Sequence, residues 1–218
     1  MNTLVKSISG TGMALILSIV LTGPVGGQCV ETGLETLVRN NFDILKGKRV
    51  GLVTNPTGVD RYLRSGVDIL NDAPEVNLVA LYGPEHGVRG EFTAGEHVDF
   101  ETDPSSGLPV YSLYGKTRKP TPEMLKDIDI LVYDIQDIGS RSYTFISTLG
   151  LLMEAAAENG IPVVVLDRPN PLGGIRMEGA VTRPGFFSFV SQFAIPYVHG
   201  MTVGELAMFL NGEGMLSG

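Results

Sequence analysis

An alternation constrains this fold more than any other feature of the sequence. Short runs rich in Val, Ile and Leu take turns with stretches of helical spacing, and each run breaks off into polar, Pro or Gly residues. Residues 49–56, 76–82, 129–135 and 161–167 read as buried strands, with 110–114 a shorter one. Between them, residues 33–45, 61–72, a segment starting at Thr121-Pro122, and 143–158 carry helical patterns, and 202–211 carries a last one. Strands alternating with helices predict an α/β protein, a Rossmann-like, doubly wound and mainly parallel sheet with helices on both faces. From Gly173 to Gly200 the pattern turns irregular, with Phe186-Phe187-Ser188-Phe189 as a further candidate strand. The passage from Gly83 to Gly107 is polar, Gly-rich and too long for an ordinary connection, which marks it as functional. The chain stops at Gly218 soon after the last helical pattern, which reads as a fold cut short.

The bulk numbers narrow the class. At 43% hydrophobic and 18% charged, 218 residues bury a sizeable core. A formal charge of −8 with no long basic run argues against a nucleic-acid partner. Residues 1–28 read as a signal peptide: Lys6 supplies the positive start and the run from Met13 to Leu21 a short apolar core. That run falls short of the roughly 20 apolar residues of a membrane span. Residues 29–218 then form the Rossmann-like domain. Cys29 stands where a lipoprotein carries its acylated cysteine, so a membrane tether through Cys29 is one reading and a plain unpaired thiol the other. With a single Cys, no intramolecular disulfide forms.

Four strand ends carry residues suited to chemistry. They are Thr54-Asn55-Pro56, Glu85-His86 with Arg89, Asp134-Ile135-Gln136-Asp137 with Arg141, and Asp167-Arg168-Pro169-Asn170. In a parallel sheet these ends lie side by side, at the edge where ligands bind. Each residue also has an ordinary alternative. Asp134 can cap the following segment, Arg141 can pair with Asp137, Asn170 can form a turn between its two prolines, and Tyr143 can pack in a helix.

Several chemistries lack their motif. Gly139-Ser140-Arg141-Ser142 is no nucleophile elbow, and no phosphate-binding loop or dinucleotide fingerprint follows the first strand. The three histidines, His86, His97 and His199, have no helical metal-ligand spacing. A zinc site gathered from distant segments, as in a metal-dependent esterase or amidase, stays open; no cofactor is expected. Carboxylates and amides dominate what remains, an inventory suited to acid/base cleavage of a glycosidic bond or to polar recognition of a sugar.

A series of motifs in order, Val53-Thr54-Asn55-Pro56-Thr57-Gly58, Gly83-Pro84-Glu85-His86-Gly87, 134–141, 167–174 and Tyr197 with His199-Gly200-Met201-Thr202, resembles the exo-β-N-acetylmuramidases of the NamZ (YbbC-like) type. The resemblance runs from about residue 34 to the end. It implies removal of a terminal N-acetylmuramic acid from the non-reducing end of peptidoglycan-derived muropeptides or disaccharides. It also implies a Rossmann-like N-terminal domain, a smaller C-terminal domain and a cleft between them, with the second domain largely outside this sequence. A truncated, non-catalytic sugar-binding domain is the rival reading. Within such a cleft Glu85 is the expected acid, partly desolvated by its Gly-Pro loop, and Asp134 the expected second carboxylate, with Asp137 and Asp167 behind it. Arg141 or Arg168 suits the lactyl carboxylate of muramic acid. Asn55, His86, Arg89, Gln136, Tyr143, Asn170 and His199 complete the expected substrate-binding set.

Overall fold

The computed structural model describes residues 30–90 and 100–217. The proposed signal peptide and Cys29 lie outside them, as do residues 91–99 of the long polar passage. Among the described residues six strands form one sheet: β1 (Arg49–Thr54), β2 (Asn77–Gly83), β3 (Phe100–Thr102), β4 (Pro109–Ser112), β5 (Ile130–Asp134) and β6 (Val163–Val165). Five α-helices of the described residues accompany them: α1 (Gly33–Arg39), α2 (Gly66–Asn71), α3 (Pro122–Leu125), α4 (Phe145–Glu158) and α5 (Val203–Gly212). The strand order is β3-β4-β2-β1-β5-β6, parallel throughout except for β3, which runs antiparallel to β4. The expected α/β class is the observed one.

The connectivity follows from burial. β1 is buried at every position after Arg49, as a central strand covered on both faces must be. Its Val50 and Leu52 face one layer, built with Leu34, Leu37, Val67, Leu70 and Val132. Val53 faces the other, built with Tyr82, Leu131, Tyr133, Leu149, Leu152 and Val203. The chain leaves β1 for β2 on one side, and later enters β5 on the other side of β1. The switch point of the sheet therefore lies between the carboxyl ends of β1 and β5, where Thr54 is in register with Asp134. A third cluster, Ile146, Phe193, Ile195, Leu206 and Leu210, ties the irregular segment after β6 to α4 and α5. Gly150 makes this possible: a Cβ there would stand 2.2 Å from the Phe193 ring.

Three expected elements come out differently. The helix expected over 33–45 ends at Arg39, because Asn41 and Phe42 both take left-handed angles before a short 3-10 turn at Asp43–Leu45. The helix expected from residue 61 begins at Gly66 behind a Ser65 cap. Leu63, counted into its apolar stripe, is instead 80% exposed with a positive φ, while the Asp60 carboxylate accepts the N–H groups of Tyr62 and Arg64. No strand forms at 186–189: Ser188 bridges only to Ser191 in a tight turn, and Phe186 and Phe187 are exposed. In the other direction, β3 lies inside the polar passage, where composition concealed an edge strand.

Candidate active site

After β2 the chain turns sharply. Gly87 N–H donates to Pro84 O at 3.1 Å, and His86 and Gly87 both have left-handed backbone angles. Such a conformation is uncommon for a non-glycine residue and persists only where the surroundings hold it. Here Val88, returned to the core, and Arg89, whose guanidinium binds Asp103 and Asp68 at 2.5–3.4 Å, hold it. Between these anchors Glu85 is half-buried and His86 is exposed. Arg89, expected among the substrate-binding residues, thus braces the loop against α2 and the segment after β3. It holds the Asp103 carboxyl down at about 2.

Register brings a neighbour to Glu85. Gly83 is paired with Ser112 across β2 and β4, and Leu113 N–H donates to Gly83 O at 2.8 Å. Two residues further on each strand stand Glu85 and Tyr114, and the Tyr114 hydroxyl is hydrogen-bonded to the Glu85 carboxylate. That bond favours the neutral phenol and raises its pKa. Close by, Arg118 lies over the ring of Phe189, its guanidinium carbon 4.4 Å from the ring centroid.

The switch point itself is filled by protein. Arg168 grips Asp134 with both oxygens engaged, Nε to Oδ1 at 2.7 Å and a terminal nitrogen to Oδ2 at 3.1 Å, and that nitrogen also donates to Val59 O at 3.0 Å. Asp134 is fully buried and Arg168 nearly so. Burial pushes the Asp134 carboxyl up, against the pull of Arg168. Asn55 is occupied too: its Oδ1 accepts the N–H and hydroxyl of Thr57 at 3.0 and 2.5 Å. Thr57 Oγ1 accepts from Gln136 N–H, and the Gln136 side chain donates to the carbonyls of Asp137 and Pro169. This setting differs from the one expected of a reacting Asp134: no solvent reaches it and both oxygens are spoken for.

The remaining expected residues join the loops to one another. Asp137 Oδ2 accepts Gly139 N–H at 2.7 Å and faces His199 Nε2 at 3.2 Å, while its Oδ1 is buried without a hydrogen-bond partner among the described residues. Met201 N–H donates to His199 Nδ1, so the ring's proton sits on Nε2 and points at Asp137. Asp167 caps α5, its two oxygens accepting from Gly204 N–H, Thr202 Oγ1 and its neighbour's N–H. Asn170 is a turn residue: Oδ1 accepts Leu172 N–H and Nδ2 donates to Met201 O. Arg141 does not pair with Asp137. Its guanidinium donates to the carbonyls of Ala180 and Ile195 and lies near the Tyr197 ring. Tyr143 is 48% exposed, close in sequence to a hydroxyl chain, Ser140–Ser142–Tyr197, with links of 3.1 and 2.9 Å.

Two features lie apart from Glu85. A cavity of about 650 Å³ opens between α1 and the segment 165–169, where Asp167 and Arg168, two of its polar lining residues, are already bonded as described. Among the described residues no three His, Cys, Asp or Glu side chains gather as a metal would require. Of the expected set, His86 and Tyr143 are exposed and Glu85 is half-buried beside Tyr114. The unforeseen members of the site are Tyr114, Arg118 and Phe189. Tyr114 was within reach of the sequence: two parallel neighbours ending at Gly83 and Ser112 put Glu85 and Tyr114 abreast.

Comparison with known proteins follows the same lines. The family profile described as "Exo-beta-N-acetylmuramidase NamZ, N-terminal" matches residues 50–217. The chain is 58% identical over 184 residues to the peptidoglycan beta-N-acetylmuramidase NamZ of Bacillus subtilis (strain 168), covering 84% of this chain and 44% of that protein. Two crystal structures of DUF1343 family proteins from Bacteroides fragilis NCTC 9343 are similar as well. One is 67% identical with a TM-score of 0.81, over 86% of this chain and 47% of its own. The other is 39% identical with a TM-score of 0.73, over 85% and 47%. This chain spans about half the length of each of these relatives.

Proposed function

Because the chain belongs to the NamZ exo-β-N-acetylmuramidase family, matching its N-terminal part, we propose that it serves the removal of terminal, non-reducing N-acetylmuramic acid from peptidoglycan fragments. The observation that carries this reading is the placement of Glu85. It is a half-buried carboxylate at the carboxyl edge of a parallel sheet, in a strained loop, oriented by the Tyr114 hydroxyl. A glycosidase needs a proton donor at the leaving oxygen, held in place before the substrate arrives. Glu85 fills that role, and Tyr114 fixes the direction in which its carboxyl points. His86 and Tyr143, both outward-facing, are assigned to sugar hydroxyl or acetamido groups. Asp134 and Arg168 serve instead as the internal strut between β5 and the loop after β6, with Asn55, Gln136, Asp137, Asp167, Asn170 and His199 as the framework around it.

Export belongs to the same proposal. Lys6 and the apolar run from Met13 to Leu21 support delivery to the periplasm or beyond, where the substrate lies, with Cys29 as a candidate lipid anchor.

Release of chromophore from a β-N-acetylmuraminide tests the reading. The chain is expected to release it with or without chelator, and Glu85→Gln to lower the rate by about 10²-fold or more, the usual worth of general acid catalysis. Undiminished release by Glu85→Gln, or release abolished by chelator, overturns it. Binding without release by the wild type would favour the sugar-binding reading.

A further inference from the structure

Muramic acid differs from glucosamine by a lactyl ether on O3 that ends in a carboxylate. An enzyme that distinguishes the two needs a cation with unspent N–H donors, close to the residue that acts on the anomeric oxygen of the same ring. Near the carboxyl edge of the sheet most arginines are already used. Arg89 is held by Asp68 and Asp103, Arg168 by Asp134 and Val59 O, and Arg141 by the carbonyls of Ala180 and Ile195. His199 is buried, with its two nitrogens engaged by Asp137 and Met201.

Arg118 is different. It is exposed, forms no salt bridge among the described residues, and has its guanidinium carbon over the Phe189 ring, 4.4 Å from the centroid. A cation over an aromatic face is held by the ring's electrostatic field and not by a hydrogen bond to an oxygen, so the contact leaves guanidinium N–H donors for a carboxylate. The same contact fixes a long side chain that would otherwise lose rotamer entropy on binding. Arg118 follows Tyr114 by four residues, and Tyr114 is the residue bonded to Glu85. The loop after β4 thus carries both the partner of the acid and a poised cation.

We propose that Arg118, held on Phe189, is the residue that reads the lactyl carboxylate and so selects muramic acid over glucosamine beside Glu85. The inference rests on the muramidase reading above and adds to it the group that confers specificity. It reassigns that role from Arg141, one of whose terminal nitrogens is held by two backbone carbonyls, and from Arg168, which is buried against Asp134.

Calorimetric titration of the full chain tests it with three ligands: the methyl β-glycosides of N-acetylmuramic acid, of its lactyl methyl ester and of N-acetylglucosamine. Wild type is expected to bind the free acid about 10- to 100-fold more tightly than the ester or the glucosaminide, the range that charged hydrogen bonds carry. Arg118→Gln should level that ratio while leaving glucosaminide affinity unchanged, and Arg118→Lys should restore part of it. Since Arg118 is exposed, neither variant threatens the fold. A preference for the acid that persists in Arg118→Gln, or wild-type binding that ignores the carboxylate, overturns the inference and leaves the muramidase reading standing. Failure of wild type to bind any of the three sugars overturns both.

Discussion

Replacing the Asp134–Arg168 pair by apolar residues of similar size decides whether it is a strut or part of the chemistry. The two side chains are 1% and 6% exposed and share two hydrogen bonds of 2.7 and 3.1 Å. Removing either partner strands a buried charge, which typically costs about 3–5 kcal/mol. Against the roughly 5–15 kcal/mol that holds a domain together, Asp134→Leu or Arg168→Met alone should bring the chain close to unfolding. Removing both should cost much less than the sum, since desolvating the pair already offsets most of its mutual attraction.

The pH dependence follows the same logic. Burial raises the Asp134 carboxyl above its ordinary value. A raised carboxyl makes the ionised form the costly one, so its penalty is absent at low pH and grows as pH rises through the folded-state pKa. In Arg168→Met the carboxylate has no counter-charge, so that variant's deficit should be largest at neutral pH and shrink on acidification. Asp134→Leu lacks the titrating carboxyl and strands an arginine that does not titrate, so its deficit should follow only the wild type's own titration, largest at low pH and shrinking as pH rises. Urea unfolding followed by circular dichroism at several pH values measures all of this, with unchanged m-values as the check on two-state behaviour. Single-variant losses below about 1 kcal/mol, or strict additivity in the double variant, would refute the reasoning. So would an Asp134→Asn protein of wild-type stability that has lost turnover.

Asp103 and Gly58 set two further expectations. Arg89 and Ser106 hold the Asp103 carboxyl at about 2, so its stabilising contribution is complete above the ordinary aspartate pKa and is lost as pH falls from about 4 to about 2. Wild type should lose about 2 kcal/mol across that window that Asp103→Asn does not lose, and parallel acid titrations of the two would sink the assignment. In the loop that plugs the switch point, a Cβ on Gly58 would stand 2.2 Å from Thr54 Oγ1 and 2.8 Å from Asp134 O. Gly58→Ala should therefore cost about 1–3 kcal/mol, visible as a lowered Tm, and an unchanged Tm would show that the loop yields freely.

The sheet was legible because its determinants are local and periodic. Apolar runs such as Leu131-Val132-Tyr133 can only be strands covered on both faces, and Thr121-Pro122 announces a helix start that the Thr121 side chain does cap. Leu63 shows where periodicity misleads: an apolar residue in step with a helix stands exposed, because Asp60 imposes a turn first. For the site, the strand ends did mark where polar groups gather. Side-chain commitment was not legible, since a carboxylate that reacts and one that braces look alike in sequence. Asp134, Asp167 and Asn170 are told apart only by what their oxygens already accept. Arg118 escaped notice for the converse reason: its importance comes from what it does not bond, beside a Phe189 some 70 residues away.

Asp167 has a mechanical consequence beyond its own hydrogen bonds. Its carbonyl accepts Gly33 N–H at the head of α1, and its carboxylate holds Thr202 and Gly204 at the head of α5. It follows directly on β6 and Leu166, and β6 is only three residues long. A ribbon that short at the margin of a sheet would fray on its own. Stitched at one residue to two helices, it can open only if both helices let go together. The last strand and its two flanking helices therefore make up a single cooperative foldon, whose amides should exchange with solvent in concert rather than from the margin inward.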